Sequence, residues 1–351
     1  MGKIAVALVG LGRIAGLLEE DPLREKPCTH IGAVRANPDC SLVAGADHDE
    51  TRRNLFENRW QCPVYEDAEK MIKTHNPHIL VIATNPDSHA RYCVMAEALK
   101  VPVVICEKPL ADTVLQAERI AALHRKGTIR ILTNHERRYA ADYIRAKAIL
   151  DEGRLGGILS AKATLYMGTN RRLLDVLWHD GTHLADALMF LSNAGMKHEK
   201  TWGAKLKTRE GTAFLMGHLV ALPDQGKQKN PIPFLLELGA KRDHLVFEVE
   251  FSCEQGRLRI GNGIFEVWES GPSPYAQGFK SLKRTPEVFD GPTGYFVNMV
   301  QDAVACVGNP VRQPRSSAAD GLRVIEYLNS VQPWRKETAR SFQFPLVRYY
   351  R

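Results

Sequence analysis

A short apolar run near the start of the chain, Ile4–Val9, ends in the pattern Gly10-x-Gly12-x-x-Ala15. This spacing is typical of a buried parallel strand that turns tightly into a helix whose N-terminus binds a pyrophosphate. Gly10 permits the turn, Gly12 lets phosphates approach the backbone, and Ala15 lets the helix pack closely on the strand. The predicted dinucleotide-binding residues of this turn are Gly10, Gly12, Arg13 and Ile14.

A carboxylate follows the second apolar run, where Ser41–Ala46 ends at Asp47. Such a carboxylate accepts hydrogen bonds from the ribose hydroxyls and repels a 2′-phosphate, so it favours NAD over NADP. Arg52 and Arg53 lie nearby and weaken this preference. The alternative is that Asp47 only caps the following helix.

Polar segments also follow two later apolar runs. Because parallel sheets bind ligands at the carboxyl ends of their strands, these segments are predicted to line the cofactor crevice. Lys108 suits acid–base chemistry, since burial and a neighbouring positive charge both lower the pKa of a lysine. The alternative is a surface salt bridge between Lys108 and Glu107. The predicted cofactor-binding residues here are Thr84, Asn85, His89, Glu107, Lys108 and Pro109.

Ionisable side chains are concentrated again in Trp178–Asp186, at the start of a predicted helix. The i, i+4, i+7 spacing of His179, His183 and Asp186 predicts that they share one helix face. Two histidines four residues apart can bind zinc, but no third ligand is evident, so we predict no metal. The alternative is that both histidines are structural residues whose hydrogen bonds are satisfied within the core.

Four residues after the predicted first strand of the second domain are expected to contact a substrate: Tyr166, Asn170, Arg171 and Arg172. Two adjacent arginines suggest an acidic or phosphorylated substrate. A surface location is the alternative.

Apolar runs alternate with helical patterns through residue 133, which predicts βαβ units and a parallel sheet covered on both faces. Beyond residue 158 a long helix, Asp175–Leu191, precedes short alternating strands joined by tight turns, which predict an antiparallel sheet. We therefore predict an α/β fold. Its N-terminal Rossmann domain, a doubly wound parallel sheet, covers residues 1–133, and a C-terminal α+β domain with a large open, mostly antiparallel sheet covers residues 134–351.

Two details of the second domain are predicted with it: Ala204–Lys207 as a strand and Ser270–Pro292 as a loop. Helices must cover one face of the open sheet. The other face needs a partner, since it would otherwise expose a large apolar surface. This predicts a homodimer or homotetramer formed through the open sheet.

Composition narrows the class of protein. The 47 basic and 40 acidic residues give a net charge of +7, and the basic residues are dispersed, which argues against a nucleic-acid partner. The seven cysteines form no C-x-x-C pair, which fits a reducing cytoplasm. The first apolar run is too short for a signal peptide or a membrane span. We expect a cytoplasmic protein with a small-molecule substrate and no membrane partner.

The segments GLGRIA, Asp47, ATNPDSHA, Glu107-Lys108-Pro109 and the His183 helix occur in this order. With them the chain resembles the glucose–fructose oxidoreductase / inositol dehydrogenase (Gfo/Idh/MocA) family over nearly its whole length, and Asn134–Tyr139 resembles that family's crossover into the second domain. The resemblance implies NAD(P)-dependent oxidation or reduction of a sugar, cyclitol or related polyol. It also implies a cis Lys108–Pro109 bond, Lys108 between nicotinamide and substrate, and His183 as general acid or base.

Three departures from that family matter. His179 stands where the family commonly has aspartate, with Asp180 shifted by one, so either residue could partner His183. Ala15 and Asp47 are 32 positions apart, against about 20 in the usual fingerprint. The surplus, Leu17–Thr29, is predicted to be a loop beside the cofactor or over the substrate. Glu136, predicted near the nicotinamide, replaces a neutral residue.

We therefore expect hydride transfer between NAD and a secondary alcohol, with Lys108 and His183 as acid–base groups and His179 and Asp180 beside them. Lys108, His179 and His183 are also expected to contact the substrate. Three alternatives are an NAD-using glycosidase of the same fold, a non-catalytic NAD-sensing protein, and a zinc hydrolase built on the two histidines.

Overall fold

The structure is a computed structural model, and it describes residues 2–168, 171–222 and 230–331. No helix in these ranges is long and apolar enough to span a membrane.

The N-terminal domain is a six-stranded parallel sheet with the strand order β3-β2-β1-β4-β5-β6. This order is the one that defines the doubly wound dinucleotide-binding fold, so the predicted Rossmann architecture is confirmed. Its strands are β1 (Ile4–Val9), β2 (Cys40–Ala46), β3 (Val64–Tyr65), β4 (Ile79–Ile82), β5 (Val103–Cys106) and β6 (Arg130–Thr133).

Five α-helices connect these strands and cover both faces of the sheet. The bounds are α1 (His30–Ala36), α2 (Glu50–Trp60), α3 (Ala68–His75), α4 (His89–Ala98) and α5 (Val114–Lys126). Local sequence explains several of their ends. Asp49 caps α2 and Thr113 caps α5 by accepting a backbone N–H, and Gly127 ends α5 in the left-handed conformation (φ +80°).

The C-terminal domain is built on an eight-stranded sheet in the order β14-β13-β12-β11-β7-β10-β9-β8. All neighbouring pairs are antiparallel except β7 and β10, which confirms the predicted large, mostly antiparallel sheet. Its strands are β7 (Ile158–Met167), β8 (Ala194–Gly203), β9 (Gly211–Ala221), β10 (Ile232–Ala240), β11 (Val246–Cys253), β12 (Gly256–Gly261), β13 (Ile264–Pro272) and β14 (Lys280–Arg284).

The remaining helices are α6 (Ala141–Asp151), α7 (Leu173–His179), α8 (Gly181–Ser192), α9 (Tyr295–Gly308) and α10 (Ala318–Ser330). Helix α8 packs on β7, while α9 returns to the N-terminal domain and packs on α1. Three element predictions were wrong. Residues 204–207 are not a strand, β14 lies inside the predicted loop Ser270–Pro292, and the predicted helix Asp175–Leu191 is two helices that meet at Asp180.

The second face of the large sheet is charged at its centre. In β7 the residues Ala161, Ala163 and Leu165 are buried on the helix side, so Lys162 and Tyr166 point to the other face. Ion pairs there join Lys162 to Glu237 (3.4 Å), Arg257 to Glu250 (3.9 Å), and Arg259 (3.8 Å) and Arg284 (3.4 Å) to Glu266. Apolar side chains are nevertheless exposed toward the β8–β9 edge of this face, at Trp202 and Met216, and the oligomer predicted through the open sheet stays a prediction.

Candidate active site

The glycine turn after β1 leaves room for a ligand. Gly10 has φ +88°, and a Cβ atom there would lie 2.6 Å from the Ala83 carbonyl oxygen, so only glycine fits. A Cβ on Gly12 would meet no atom within 4 Å, because that side of the turn is open. The amides of Gly12 and Ile14 donate to no group in the described ranges. Open space and unpaired amides at this turn fit a pyrophosphate.

The long spacing between Ala15 and Asp47 has a simple structural cause. In a regular helix the Ile14 carbonyl accepts a hydrogen bond from the amide of residue 18. Here it accepts one from the amide of His30 (3.2 Å), which is 12 positions after residue 18. The Ala15 carbonyl bonds Ile31 (3.0 Å) with the same offset. Removing 12 from the 32 positions leaves 20, the usual fingerprint spacing. The surplus residues are thus looped out of the first helical turn.

This looped-out segment, residues 17–29, packs against α9. It begins with a short 3₁₀ helix, Leu17–Glu20. The Glu25 carboxylate accepts hydrogen bonds from the amides of Thr293 (2.9 Å) and Gly294 (2.8 Å), just before α9. Burial and the Glu136 carboxylate raise the pKa of Tyr295, the first residue of α9, and Cys28 of the segment raises it further. Glu136 and Cys28 of the segment are therefore both near Tyr295.

Asp47 lies where a ribose-binding carboxylate is expected. Its Oδ2 accepts from the amide of Leu11 (2.8 Å) in the glycine turn, and its Oδ1 accepts from the amide of Asp49 (3.0 Å). Arg52 lies 3.6 Å from Oδ2. Because Asp49 is the residue that caps α2, the alternative that Asp47 is merely the cap was wrong.

The carboxyl ends of five parallel strands meet along one edge. Backbone bonds run from Gly10 to Ala46 (2.8 Å), from Glu107 to Ile82 (2.9 Å) and from Asn134 to Cys106 (2.7 Å). The polar residues after β1, β2, β4, β5 and β6 therefore line a single crevice. Thr84 and the exposed Asn85 belong to this edge.

Glu107 is held as a buried carboxylate. Its Oε1 contacts His30 Nε2 (2.7 Å) and accepts from Asn134 Nδ2 (2.6 Å), while Oε2 accepts from the Lys108 amide (3.2 Å). Burial favours the neutral acid, but the bonds from His30 and Asn134 and the charge of Lys108 outweigh it. The pKa of Glu107 is consequently lowered.

Lys108 reaches from the N-terminal domain to the break between α7 and α8. The Lys108–Pro109 bond is cis, as the family resemblance implied. Lys108 Nζ donates to the carbonyl oxygen of His179 (2.9 Å), which also accepts from Thr182 Oγ1 (3.1 Å). In an unbroken helix that oxygen would bond the amide of His183, but this amide donates to Asp180 instead (3.1 Å). The helix break thus frees the oxygen that receives the lysine.

His183 is partly exposed, in the first turn of α8. Burial holds the pKa of its imidazole well below the usual range, and the positive charges of Lys108 and Arg137 lower it further. Its buried Nδ1 has no hydrogen-bond partner in the described ranges. The side chain is therefore a neutral base close to Lys108 at neutral pH.

Asp180 orients His179. Asp180 Oδ1 lies 3.0 Å from His179 Nδ1, and Asp180 Oδ2 lies 3.5 Å from Arg171 Nη1. Burial opposes its ionisation, but His179, Lys108 and Arg171 outweigh burial and lower the pKa of Asp180. The structure thus gives Asp180 to His179 and not to His183. Glu136, on the crossover after β6, pairs with Arg137 (3.0 Å).

A family model described as an oxidoreductase family with an NAD-binding Rossmann fold, GFO_IDH_MocA, matches residues 4–135. The N-terminal domain therefore matches the NAD-binding domain of the Gfo/Idh/MocA family. An inositol 2-dehydrogenase from Salmonella typhimurium is 26% identical to this chain over 204 residues. That match spans 57% of each chain, little more than half of the curated relative.

Solved structures share the fold over almost the whole chain. An oxidoreductase from Agrobacterium radiobacter in complex with NAD⁺, L-tartaric acid and magnesium superposes with a TM-score of 0.73 at 17% identity, covering 94% of this chain and 97% of that one. The WlbA dehydrogenase from Bordetella pertussis in complex with NADH and UDP-GlcNAcA gives the same score and identity over 94% and 95%. At such identities the likeness establishes the two-domain fold of this chain.

Several predicted site residues are engaged by other side chains or by the backbone. Tyr166 points to the opposite sheet face, where its hydroxyl donates to Glu237. Arg172 forms a bidentate ion pair with Asp175 (2.8 and 2.7 Å), and this carboxylate compensates the charge of the guanidinium. His89 is buried, and its ring nitrogens contact the carbonyls of Thr84 (3.0 Å) and Leu110 (3.2 Å). It therefore supports the backbone of the crevice and is not exposed in it. Asn170 lies outside the described residues.

The shared helix face predicted for His179, His183 and Asp186 was also wrong. The break at Asp180 interrupts the periodicity, and Asp186 is buried against Arg138, whose Nε lies 2.9 and 3.0 Å from its two oxygens. No set of three His, Cys, Asp or Glu side chains arranged to hold a metal occurs in the described ranges.

Two residues that contact Glu107 in the site were not predicted from the sequence. Asn134 directly follows β6, so its position at a strand end was the available signal. His30 lies far from the glycine pattern in the chain, and only the 12-residue offset places it in the first turns of the cofactor helix.

Proposed function

We propose that this protein is an NAD(P)-dependent dehydrogenase that acts on a secondary alcohol of a sugar, cyclitol or related polyol. The observation that carries the proposal is the 2.9 Å hydrogen bond from Lys108 Nζ to the His179 carbonyl. It holds an amine from the nucleotide-binding domain beside the helix that presents His183. The named activity of the inositol 2-dehydrogenase relative supports the substrate class.

Each side chain has a role in this proposal. Bound NAD(P) supplies the hydride acceptor or donor. His183 takes the proton of the substrate hydroxyl, and we assign Nε2 as the receiving atom because Nδ1 is buried. Lys108 uses one of its three N–H groups on the His179 carbonyl, which leaves two to hydrogen-bond the substrate oxygen. A positioned acid–base group of this kind contributes about 10²–10⁴-fold in rate.

NAD is the proposed cofactor in preference to NADP. Asp47 is fixed by two backbone amides, so its negative charge cannot turn away from a 2′-phosphate. The structural neighbours are divided on this point, since two are named with NAD⁺ or NADH and one from Desulfitobacterium hafniense is named as NADPH-dependent. Arg52, at 3.6 Å from Asp47, offsets part of that charge.

A polyol is preferred over an acidic or phosphorylated substrate. The predicted anion contacts are already engaged, since Arg172 is paired with Asp175 and Arg171 lies 3.5 Å from Asp180. We also propose a cytoplasmic location, in keeping with seven cysteines that are all unpaired and buried.

The test is a screen of sugars and cyclitols for NADH formation by absorbance. The proposal expects stoichiometric NADH with at least one polyol. Sugar release without net NADH would favour the glycosidase alternative. Tight NAD binding with no product from any compound would favour a sensing protein and contradict the proposal.

A further inference from the structure

His30 is a fully buried histidine aimed at the catalytic strand end. Its Nε2 lies 2.7 Å from Glu107 Oε1, and its ring stands edge-on to Phe296 with centroids 5.1 Å apart. Its Nδ1 has no hydrogen-bond partner among the described residues. A neutral imidazole in this setting satisfies the carboxylate only with its proton on Nε2. The ring is thus a fixed donor to Glu107.

Glu107 in turn fixes the turn that carries Lys108. Its second oxygen accepts the Lys108 amide at 3.2 Å, and the positive charge of Lys108 helps to lower the pKa of Glu107. Without His30, Asn134 would be the one side-chain donor left at Oε1 (2.6 Å), and burial would favour the neutral acid more strongly.

The looped-out segment 17–29 sets the position of His30. Thr29 caps α1 by accepting the Gly32 amide (3.1 Å), and Glu19 binds the Thr29 hydroxyl (2.6 Å). His30 itself donates its amide to Ile14 of the glycine turn. The imidazole therefore links the cofactor turn to the Glu107–Lys108 turn.

We infer that His30 is a positioning residue for the reaction: it keeps Glu107 ionised and directed at the Lys108 turn. This inference rests on the proposed dehydrogenase function. The competing interpretation is a histidine that only fills space under α9.

The test compares His30→Gln, which keeps a donor near the position of Nε2, with His30→Leu, which keeps bulk and removes the donor. Glu107→Gln and the double variant His30→Leu/Glu107→Gln complete a cycle. His124→Leu is the matched control, because His124 is another buried histidine, bonded to Gln313 (2.9 Å) and the Ile131 amide (3.0 Å) away from the site. The readouts are kcat, KM and their dependence on pH.

We expect His30→Leu to lower kcat about 10-fold or more and to add an acid limb from Glu107 to the kcat profile, at higher pH than the limb of His183. His30→Gln should restore most of the rate, and His30→Leu should change kcat less than about two-fold in the Glu107→Gln background. His124→Leu should lower the melting temperature without adding that limb. Equal losses in both His30 variants, no added limb in His30→Leu, or an undiminished effect in the Glu107→Gln background would overturn the inference.

A second readout needs no turnover, so it separates this inference from the proposed function. A Glu107 carboxylate favours the cationic ring of NAD⁺ over the neutral ring of NADH. The ratio of the two dissociation constants should therefore shift toward NADH in His30→Leu and Glu107→Gln, and return in His30→Gln. If no polyol is oxidised but this shift appears, the dehydrogenase proposal fails and the role of His30 stands. No shift in His30→Leu would overturn that role.

Discussion

The ammonium of Lys108 and the carbonyl of His179 are joined by a 2.9 Å hydrogen bond between the two domains. It exists because the chain changes helix at Asp180, which leaves the His179 carbonyl without its helical partner. In a continuous helix the His179 carbonyl oxygen would accept a backbone amide. Here it accepts the Lys108 ammonium instead. This brings Lys108 beside His183, and five predictions follow from the arrangement and its supports.

Replacing Lys108 with Met keeps most of the side-chain length but removes the charge and the donors. We expect kcat to fall about 10²–10⁴-fold with NADH affinity changed only a few-fold, since the amine acts on the substrate oxygen. Steady-state kinetics and NADH fluorescence titration measure the two effects. Lys126→Met, at the exposed end of α5, is the control and should retain full activity. Full activity of Lys108→Met would remove the lysine from the mechanism.

His183→Asn removes the proposed proton acceptor. Because burial and Lys108 lower the pKa of His183, the imidazole is the neutral base at neutral pH and becomes protonated only in acid. Alcohol oxidation by the wild type should therefore lose kcat/KM on an acid limb centred below about pH 6.5. The variant should lose about 10²–10⁴-fold in kcat/KM and lack that limb. His244→Asn, at an exposed histidine, serves as control. An unchanged limb would show that another group is the base.

Asp47→Ser removes the carboxylate that faces a 2′-phosphate and leaves Arg52 nearby. The preference for NAD over NADP, measured as the ratio of kcat/KM values, should fall at least about 10-fold. Asp49→Ser, which keeps a capping side chain on α2, should leave the ratio nearly unchanged. A wild-type preference for NADP would contradict the assignment of Asp47.

Deleting residues 18–29 should restore an uninterrupted cofactor helix. His30 and Ile31 already donate to the carbonyls that residues 18 and 19 would use, so the shortened chain can continue the same ladder. We expect native-like circular dichroism, retained NADH binding and a lower melting temperature, since the Glu25 bonds to Thr293 and Gly294 are lost. Glu25→Gln isolates that last effect at full length. A deletion variant that fails to fold while Glu25→Gln folds would show that the segment is more than an insertion.

Asp320 should govern part of the acid stability. Burial opposes its ionisation, but Arg138, Arg323 and the Ser317 hydrogen bonds outweigh burial and lower the pKa of Asp320 to about 2. Its folded pKa lies below the unfolded value, so this contribution is present above about pH 4 and is lost as the pH falls toward 2. The shift corresponds to about 2 kcal/mol. Asp320→Asn should lower the unfolding free energy at pH 7 by at least that amount, measured with denaturant.

The control for Asp320 is Asp290→Asn, at an exposed carboxylate. That variant should keep the wild-type stability at pH 7 and its loss in acid. Equal stability of the Asp320→Asn and wild-type proteins at pH 7 would contradict the role given to the buried ion pair with Arg138.

The strands that could be predicted were those with a buried face. Continuous apolar runs marked β1, β4 and β5 because parallel strands are covered on both faces. In the large sheet, the two strands that were misplaced or missed, β8 and β14, form the edges. Their sequences are mostly polar and their side chains mostly exposed. They therefore lack the alternation of apolar and polar residues that predicts a strand.

The candidate site was predictable where it follows strand ends. Glu107 and Lys108 belong to that class, and so does Asp47. The hydrogen bond between Lys108 and His179 could not be predicted, because it depends on a helix break that residue spacing does not reveal. His30 was hidden by the 12 extra residues, which disguise its place in the cofactor helix.

The most direct test is a crystal structure of the protein with NAD and a polyol identified by the screen. The account predicts Lys108 Nζ and His183 Nε2 both within about 2.6–3.2 Å of one substrate hydroxyl oxygen. Lys108 and His183 facing different compounds or separate cavities would contradict it.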